Sequence, residues 1–257
     1  VKPPQVVDNT PPVVTSVSAP LVMYQPYAEL QVQASDDAGG SGVSWVNCVV
    51  WEYYPSLRAW LMTQETGWQF MADGAVKHLW VSLDGFSGAR YLDVWVADGQ
   101  NNISQEPYSL VVNYIEPDNF IFQGESQFFL FPTQTGDVVS ASLTNLFSTD
   151  DADLYLWPPH YPTHNYWYSA HDAGYPEALN ATAPLNGYYW LEVYGYDFAF
   201  YNLTASFYPN TAEVPAGPVE PLKPLRTTQL VSGTNLPVEN YRLQRLPGRV
   251  FMPLIRR

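Results

Sequence analysis

Four groups of residues in this 257-residue chain have types and spacings that could do chemistry. Asp150, Asp151 and Asp153 present hard oxygens at the start of an apolar run, and Glu116, Asp118 and Asn119 present more upstream. A calcium ion takes about six to eight oxygens, which two such clusters and nearby carbonyls could supply. Glu116, Asp118, Asp151 and Asp153 are therefore candidate calcium ligands. The plainer reading is that Asp151 and Asp153 accept hydrogen bonds from turn amides at a strand start. His160, His164 and His171 offer imidazoles for zinc or copper, but the i, i+4 spacing needs a helix, and Pro158, Pro159 and Pro162 forbid one. Surface-loop histidines are the better reading. The loop holding Trp157, Tyr161, Tyr166, Trp167 and Tyr168 is broken by the same prolines, so some of its rings should stay accessible to a ligand. Finally, Val250, Phe251, Met252, Leu254 and Ile255 form a short apolar run flanked by Arg249 and Arg256, a candidate partner-binding segment.

No recognised catalytic signature accompanies these groups. The metalloprotease pattern His-Glu-x-x-His, the Gly-x-Ser-x-Gly elbow and the glycine loops that cradle phosphates are absent from the sequence. A Ser/His/Asp triad is defined by geometry, so the sequence neither shows nor excludes one. The expectation is a chain that performs no chemistry.

The elements that must position these residues read as strands. Residues 29–34 alternate polar and apolar, and 90–97 are rich in strand formers and end at Asp98-Gly99. Similar runs lie near 12–18, 43–53, 57–63, 76–82 and 107–113, separated by turn clusters such as Asp36-Asp-Ala-Gly-Gly-Ser-Gly42. A second series follows Ile115-Glu-Pro-Asp118, near 120–123, 126–131, 138–145, 153–157, 165–169, 177–182, 187–194 and 200–207. No segment sustains a capped 3.6-residue period, so helix should be scarce. The expected architecture is all-β: two antiparallel β-sandwiches over 1–115 and 116–210, then an extended, Pro-rich, basic arm over 211–257. Trp45, Trp51, Trp80, Trp95 and Trp190 fall in these strands and are expected mostly in the core.

Composition bounds the partners. Aromatics make up 16% of the chain and charged residues 14%, which supplies apolar surface for a core and argues against intrinsic disorder. The net charge of −14 argues against nucleic acid, whose binding rests on clustered Lys and Arg. No apolar run is long enough to span a membrane, and the start Val1-Lys-Pro-Pro-Gln lacks both Met and a leader pattern, so a soluble, processed chain is expected. The single cysteine, Cys48, lies in an apolar run and reads as buried filler. Residues 1–210 carry a net −18 and residues 211–257 a net +4, with prolines at 215, 218, 221 and 224 forming a stiff spacer between them. A basic arm with too few large apolar groups for its own core is expected to dock on an acidic body, and its length lets it reach a neighbouring copy.

The motifs also carry resemblances. Asp8-Asn-Thr-Pro-Pro-Val-Val14, Ala34-Ser-Asp-Asp-Ala-Gly-Gly-Ser-Gly-Val43 and Val96-Ala-Asp-Gly-Gln-Asn-Asn102 resemble, in order, the opening, first-hairpin and last-hairpin signatures of bacterial immunoglobulin-like surface repeats, over about 8–114. Asp151-Ala-Asp-Leu-Tyr-Leu156, Ala178-Leu-Asn-Ala-Thr-Ala-Pro184, Gly187-Tyr-Tyr-Trp-Leu-Glu-Val-Tyr-Gly-Tyr196 and Leu203-Thr-Ala-Ser-Phe207 resemble the pre-peptidase C-terminal domain, a jelly-roll-like module of secreted bacterial proteases similar to the collagen-binding modules of collagenases, over about 116–208. The pattern departs at 158–176, where the chain is unusually aromatic and the family's frequent cysteine pair is missing. The resemblance implies an exported, non-catalytic module, and calcium-binding relatives place acidic ligands where Glu116 and Asp118 stand. Three functions compete on these readings. The favoured one is a structural subunit of an extracellular filament or surface assembly that polymerises through its C-terminal arm. The others are a substrate- or cell-wall-binding accessory region of a secreted protease, and an adhesin that binds glycan or protein through the aromatic loop.

Overall fold

The computed structural model describes residues 8–57, 59–159 and 166–210, together with the backbone of 224–229 and 238–243. The described residues form strands and no helix. The chain divides into two compact units, Val1–Trp51 with Met62–Phe86 and Arg90–Tyr114, and Glu52–Leu61 with Ser87–Ala89 and Ile115–Arg257. Each holds an antiparallel β-sandwich.

The first is built from β1 (Val13–Ser18), β2 (Val22–Met23), β3 (Tyr27–Ser35), β4 (Val43–Tyr54), β5 (Ala59–Glu65), β6 (Gln69–Phe70), β7 (Lys77–Ser82), β8 (Gly88–Asp98) and β9 (Tyr108–Tyr114). The β4–β5 tip and the first residues of β8 group with the second unit. One sheet runs β1-β3-β7, the other β2-β9-β8-β4-β5 with β6 beside β4. β1 with β3, β3 with β7 and β4 with β6 pair antiparallel, while β2 and β9 make a two-residue parallel contact. The period of two in β3 decides its orientation: Ala28, Leu30, Val32 and Ala34 are buried while Gln31 and Gln33 face out. They join Val46, Cys48 and Val50 of β4 and Leu92, Val94 and Val96 of β8 in one buried cluster. Cys48 is the inert filler expected, its thiol pushed up by burial and by Asp93. β8 is central and buried on both faces, so its polar groups need partners. Asp93 accepts from Trp51 Nε1 at 3.0 Å and from Ser109 Oγ at 2.6 Å.

Two tryptophans expected in the core lie outside it. Trp45 is 39% exposed and Trp80 57%. Register explains both, because each falls on the outward phase of its strand and pairs there with another ring, Trp45 with Phe70 and Trp80 with Tyr27.

The second sandwich is built from β10 (Asn119–Ile121), β11 (Ser126–Thr133), β12 (Val138–Asn145), β13 (Ala152–Trp157), β14 (Trp167–Ser169), β15 (Glu177–Thr182), β16 (Gly187–Gly195) and β17 (Ala199–Tyr208). Its four-stranded sheets are ordered β10-β17-β12-β15 and β11-β16-β13-β14. Phe129, Phe131, Leu154, Leu156, Leu191 and Val193 are buried in one sheet and Val139, Leu143, Leu179, Tyr201 and Leu203 in the other. A buried polar knot ties β10 and β11 to β17: Asn119 Nδ2 donates to Gln127 Oε1 at 2.6 Å and to the Tyr201 hydroxyl at 2.7 Å, and Tyr201 donates to Gln127.

Within the segment expected to be extended throughout, β18 (Pro224–Gln229) and β19 (Val238–Leu243) pair as an antiparallel hairpin, with Pro224 opposite Leu243. The candidate partner-binding residues Arg249, Val250, Phe251, Met252, Leu254, Ile255 and Arg256 lie outside the described residues.

Candidate functional site

The outward face of the β11-β16-β13-β14 sheet is lined with rings, because the strands that bury Leu154, Leu156, Leu191 and Val193 carry aromatics in the opposite phase. Tyr155 sits opposite Glu192 on β16 and opposite Tyr168 on β14, and Trp157 sits opposite Trp190. Four rings pack into a ladder. Trp157 and Tyr166 stack with centroids 4.6 Å apart, Tyr155 and Trp157 at 5.8 Å, and Tyr155 and Tyr168 at 6.4 Å. Tyr168 is 63% exposed, Tyr155 and Tyr166 are half-buried, and Trp157 is 7% exposed as the anchor. Beside them on the same face, Tyr53 and Trp60 of the β4–β5 tip pack on Trp190, with Phe128 edge-on to both Tyr53 and Trp190.

Two buried acids, Glu192 and Asp153, serve this face. Glu192 accepts from Trp157 Nε1 at 2.7 Å and from Ser126 Oγ at 2.5 Å. Burial raises its pKa above the usual carboxylate range, and those two hydrogen bonds offset part of the rise. Tyr155 donates to Asp153 Oδ2 at 3.3 Å, and its phenol is held above its ordinary value first by burial and then by Asp153. The arrangement offers stacked apolar surface with polar groups at its edge, which suits recognition of a flat or ring-shaped ligand.

The candidate ligand loop is thus partly assembled. Trp157, Tyr166 and Tyr168 come together, Trp167 turns to the other face and packs against Tyr189 at 6.1 Å, and Tyr161 lies outside the described residues. Tyr155 and Glu192 were missed by sequence reasoning. A signal was available for Tyr155 alone, which is two residues from Trp157 in one strand and so shares its face.

The candidate calcium ligands do not converge. Asp118, in the left-handed region at φ 51°, accepts from Asn202 Nδ2 at 3.1 Å. Glu116 is exposed, with its amide on Ser87 Oγ at 2.7 Å. Asp153 is buried with Tyr155, and Asp151 offers its carbonyl to the amides of Tyr196 and Asp197. The Asp151 carboxyl is raised by burial, then by Glu177, Asp172 and Asp197. The turn-capping role falls to Asp150, which accepts from the amides of Phe147 and Phe200 at 2.9 and 3.2 Å. Among the described residues, the carboxylates that bring ligand atoms within 4.8 Å of one another are instead Asp8, Asp36 and Asp37. They are largely occupied by backbone: Asp8 accepts from Thr10 and Ser41, and Asp36 from Asp37 and Gly42. The amides lower the Asp8 pKa, while desolvation and then the charges of Asp8 and Asp36 raise that of Asp37.

One constellation has the members of a hydrolytic triad in the wrong order. Ser169 donates to Glu177 Oε2, and His171 Nδ1 lies 2.7 Å from that same oxygen. The carboxylate stands between hydroxyl and imidazole, whereas a nucleophile needs the imidazole in the middle to take its proton. Glu177 is instead a structural acceptor that also takes the His171 amide at 2.9 Å.

No family model matches the chain, and no curated protein matches it by sequence. No helix among the described residues is long and apolar enough to cross a membrane.

Proposed function

We propose that this chain is a non-catalytic, extracellular binding region of the kind appended to secreted bacterial enzymes and adhesins, and that it holds a neutral glycan on the Tyr155–Trp157–Tyr166–Tyr168 ladder. The ladder carries the reading: an aromatic row anchored by a buried Trp–Glu hydrogen bond, with its outermost ring 63% exposed, is a preorganised contact surface. Sugar rings present apolar C–H faces that stack on such rings, and the acidic body disfavours anionic polysaccharides. The immunoglobulin-like and pre-peptidase C-terminal resemblances support the same class. The test is retention on insoluble neutral polysaccharides such as cellulose, chitin and starch. The chain should be retained by at least one, and Tyr168→Ala with Tyr166→Ala should lower retention about tenfold while leaving the fold intact. Equal retention of variant and parent, or none on any polysaccharide, rejects the reading.

A second reading, a filament or surface-layer subunit joined through its C-terminal arm, is favoured by the opposite charges of residues 1–210 and 211–257. Native sizing of the purified chain decides it. A polymer that becomes monomer when 249–257 are deleted supports it, and a monomer at high concentration rejects it.

A further inference from the structure

The other outward face of the second sandwich is polar along most of its length. On β12 and β17 it shows Ser140, Ser142, Thr144, Asn202, Thr204 and Ser206. At one end it changes abruptly into five phenylalanines. Phe120 pairs with Phe200 across β10 and β17, and Phe122, Phe147 and Phe198 complete the patch, with centroids from 5.0 Å (Phe198–Phe200) to 6.5 Å (Phe120–Phe198). Phe122 is 54% and Phe147 59% exposed. An exposed apolar cluster on an otherwise hydrophilic face marks a contact site. It adjoins β10, the short terminal strand of its sheet, and exposed acids surround it: Asp118 beside Asn202, Glu125 next to the turn at Phe122, and Asp197 whose Oδ1 caps the Phe198 amide at 2.7 Å.

We infer that this patch is the docking site of the chain's own residues 249–257, bound in cis as a latch. That segment is the chemical complement of the patch, with five large apolar residues, Arg249, Arg256 and Arg257, and no acid. Tether length permits the contact. The β18–β19 hairpin returns the chain to where it began, so the reach is set by the 14 steps from Asn210 to Pro224 and the six from Leu243 to Arg249, together ~65 Å at ~3.3 Å per residue. The return along β17 from Tyr208 to Phe200 spans only ~26 Å. A tether in that range gives an effective concentration of roughly millimolar, so a weak nine-residue contact is populated in the monomer before any second copy competes. Pro253 lacks an amide hydrogen and fits a segment lying along a sheet edge, with one side outward. The latch does not depend on the glycan ladder, which lies on the other sheet.

The test uses the full chain, a chain ending at Pro247, and a labelled peptide of residues 248–257. The peptide should bind the shortened chain saturably and the full chain about tenfold or more weakly, because its own segment already fills the site. Phe122→Asp with Phe198→Asp in the shortened chain should weaken peptide binding about tenfold or more, and added salt should weaken it further. Both positions are exposed, so circular dichroism should be unchanged. In parallel, Arg256→Glu with Arg257→Glu in the peptide should weaken binding without touching the protein. Sizing of the full chain should show a monomer. Equal peptide binding to both chains, no binding to the shortened one, indifference to the phenylalanine pair, or a full-length polymer that the deletion dissolves would each overturn the cis latch.

Discussion

Glu192 shows how a single buried group sets both order and pH response. Its carboxylate holds Trp157 in place, yet burial raises its pKa, and a raised folded-state value means that deprotonation disfavours the fold. The stability tied to this group is therefore complete below the ordinary carboxylate pKa and is lost as pH rises through the raised one. Glu192→Gln keeps an acceptor for Trp157 Nε1 and a donor for Ser126 Oγ, so melting temperature should lose this component of its pH dependence and rise at neutral pH. Glu192→Ala removes the acceptor of the buried indole N–H and should cost about 1–3 kcal/mol in denaturant unfolding. A Gln variant that melts like the parent at every pH would reject this account. At the other acidic site, Asp37→Asn removes a carboxylate that Asp8 and Asp36 repel, and should raise the melting temperature at neutral pH but not below the carboxylate range. Such convergences were only partly legible in the sequence. The ring types around Trp157 and their prolines were visible there. The partner of Trp157 lies 35 residues away on another strand, and the acidic trio joins Asp8 to a loop near residue 36, so neither could be read before the strands were paired.

Strand positions were far more legible, and for a physical reason. Turn chemistry at Asp36–Gly42 and Asp98–Asn102 punctuates the chain, and side-chain alternation between the turns reports which face is buried, so β3, β12 and β15 fall close to where the sequence puts them. The two-residue β2 and β6 were missed because a pairing that short leaves no period to detect. Trp45 and Trp80 show the converse error: residue type argued for burial, but phase along the strand placed them outside, and phase wins because a strand cannot turn one side chain inward without displacing its neighbours. The β4–β5 hairpin tests what an element contributes. Trp60 is 2% exposed and packs on Tyr53 and Trp190. Trp60→Ala should destabilise by ~3–5 kcal/mol, whereas Leu61→Ala, 40% exposed one residue later, should stay within about 1 kcal/mol. Equal effects in urea titrations would mean that the tip is not packed.

The division of the chain into units is not the division of the sequence at Ile115. Residues 52–61 and 87–89 belong with 115 onward, so the second unit is assembled from three stretches of chain, and the Phe128–Trp190 face is completed by rings from Tyr53 and Trp60. Sequence reasoning treats each half as independent because each has enough strands for a sandwich, and sequence distance hides a hairpin tip that joins the other unit. The consequence is testable by cutting. A fragment of residues 115–210 keeps both of its four-stranded sheets and should fold, but it leaves Trp190 and Phe128 without the two rings that cover them, and Glu116 without the Ser87 hydroxyl that accepts its amide. It should therefore melt below the corresponding transition of the whole chain and bind a hydrophobic dye more strongly, since an uncovered aromatic face attracts both dye and other molecules. Phe128→Thr with Trp190→Thr, which makes that face polar, should reduce dye binding by the fragment while destabilising the intact chain, where the same rings are packed. A fragment that melts with the whole chain and binds no extra dye would show that the tip adds nothing, and the unit boundary would then return to Ile115.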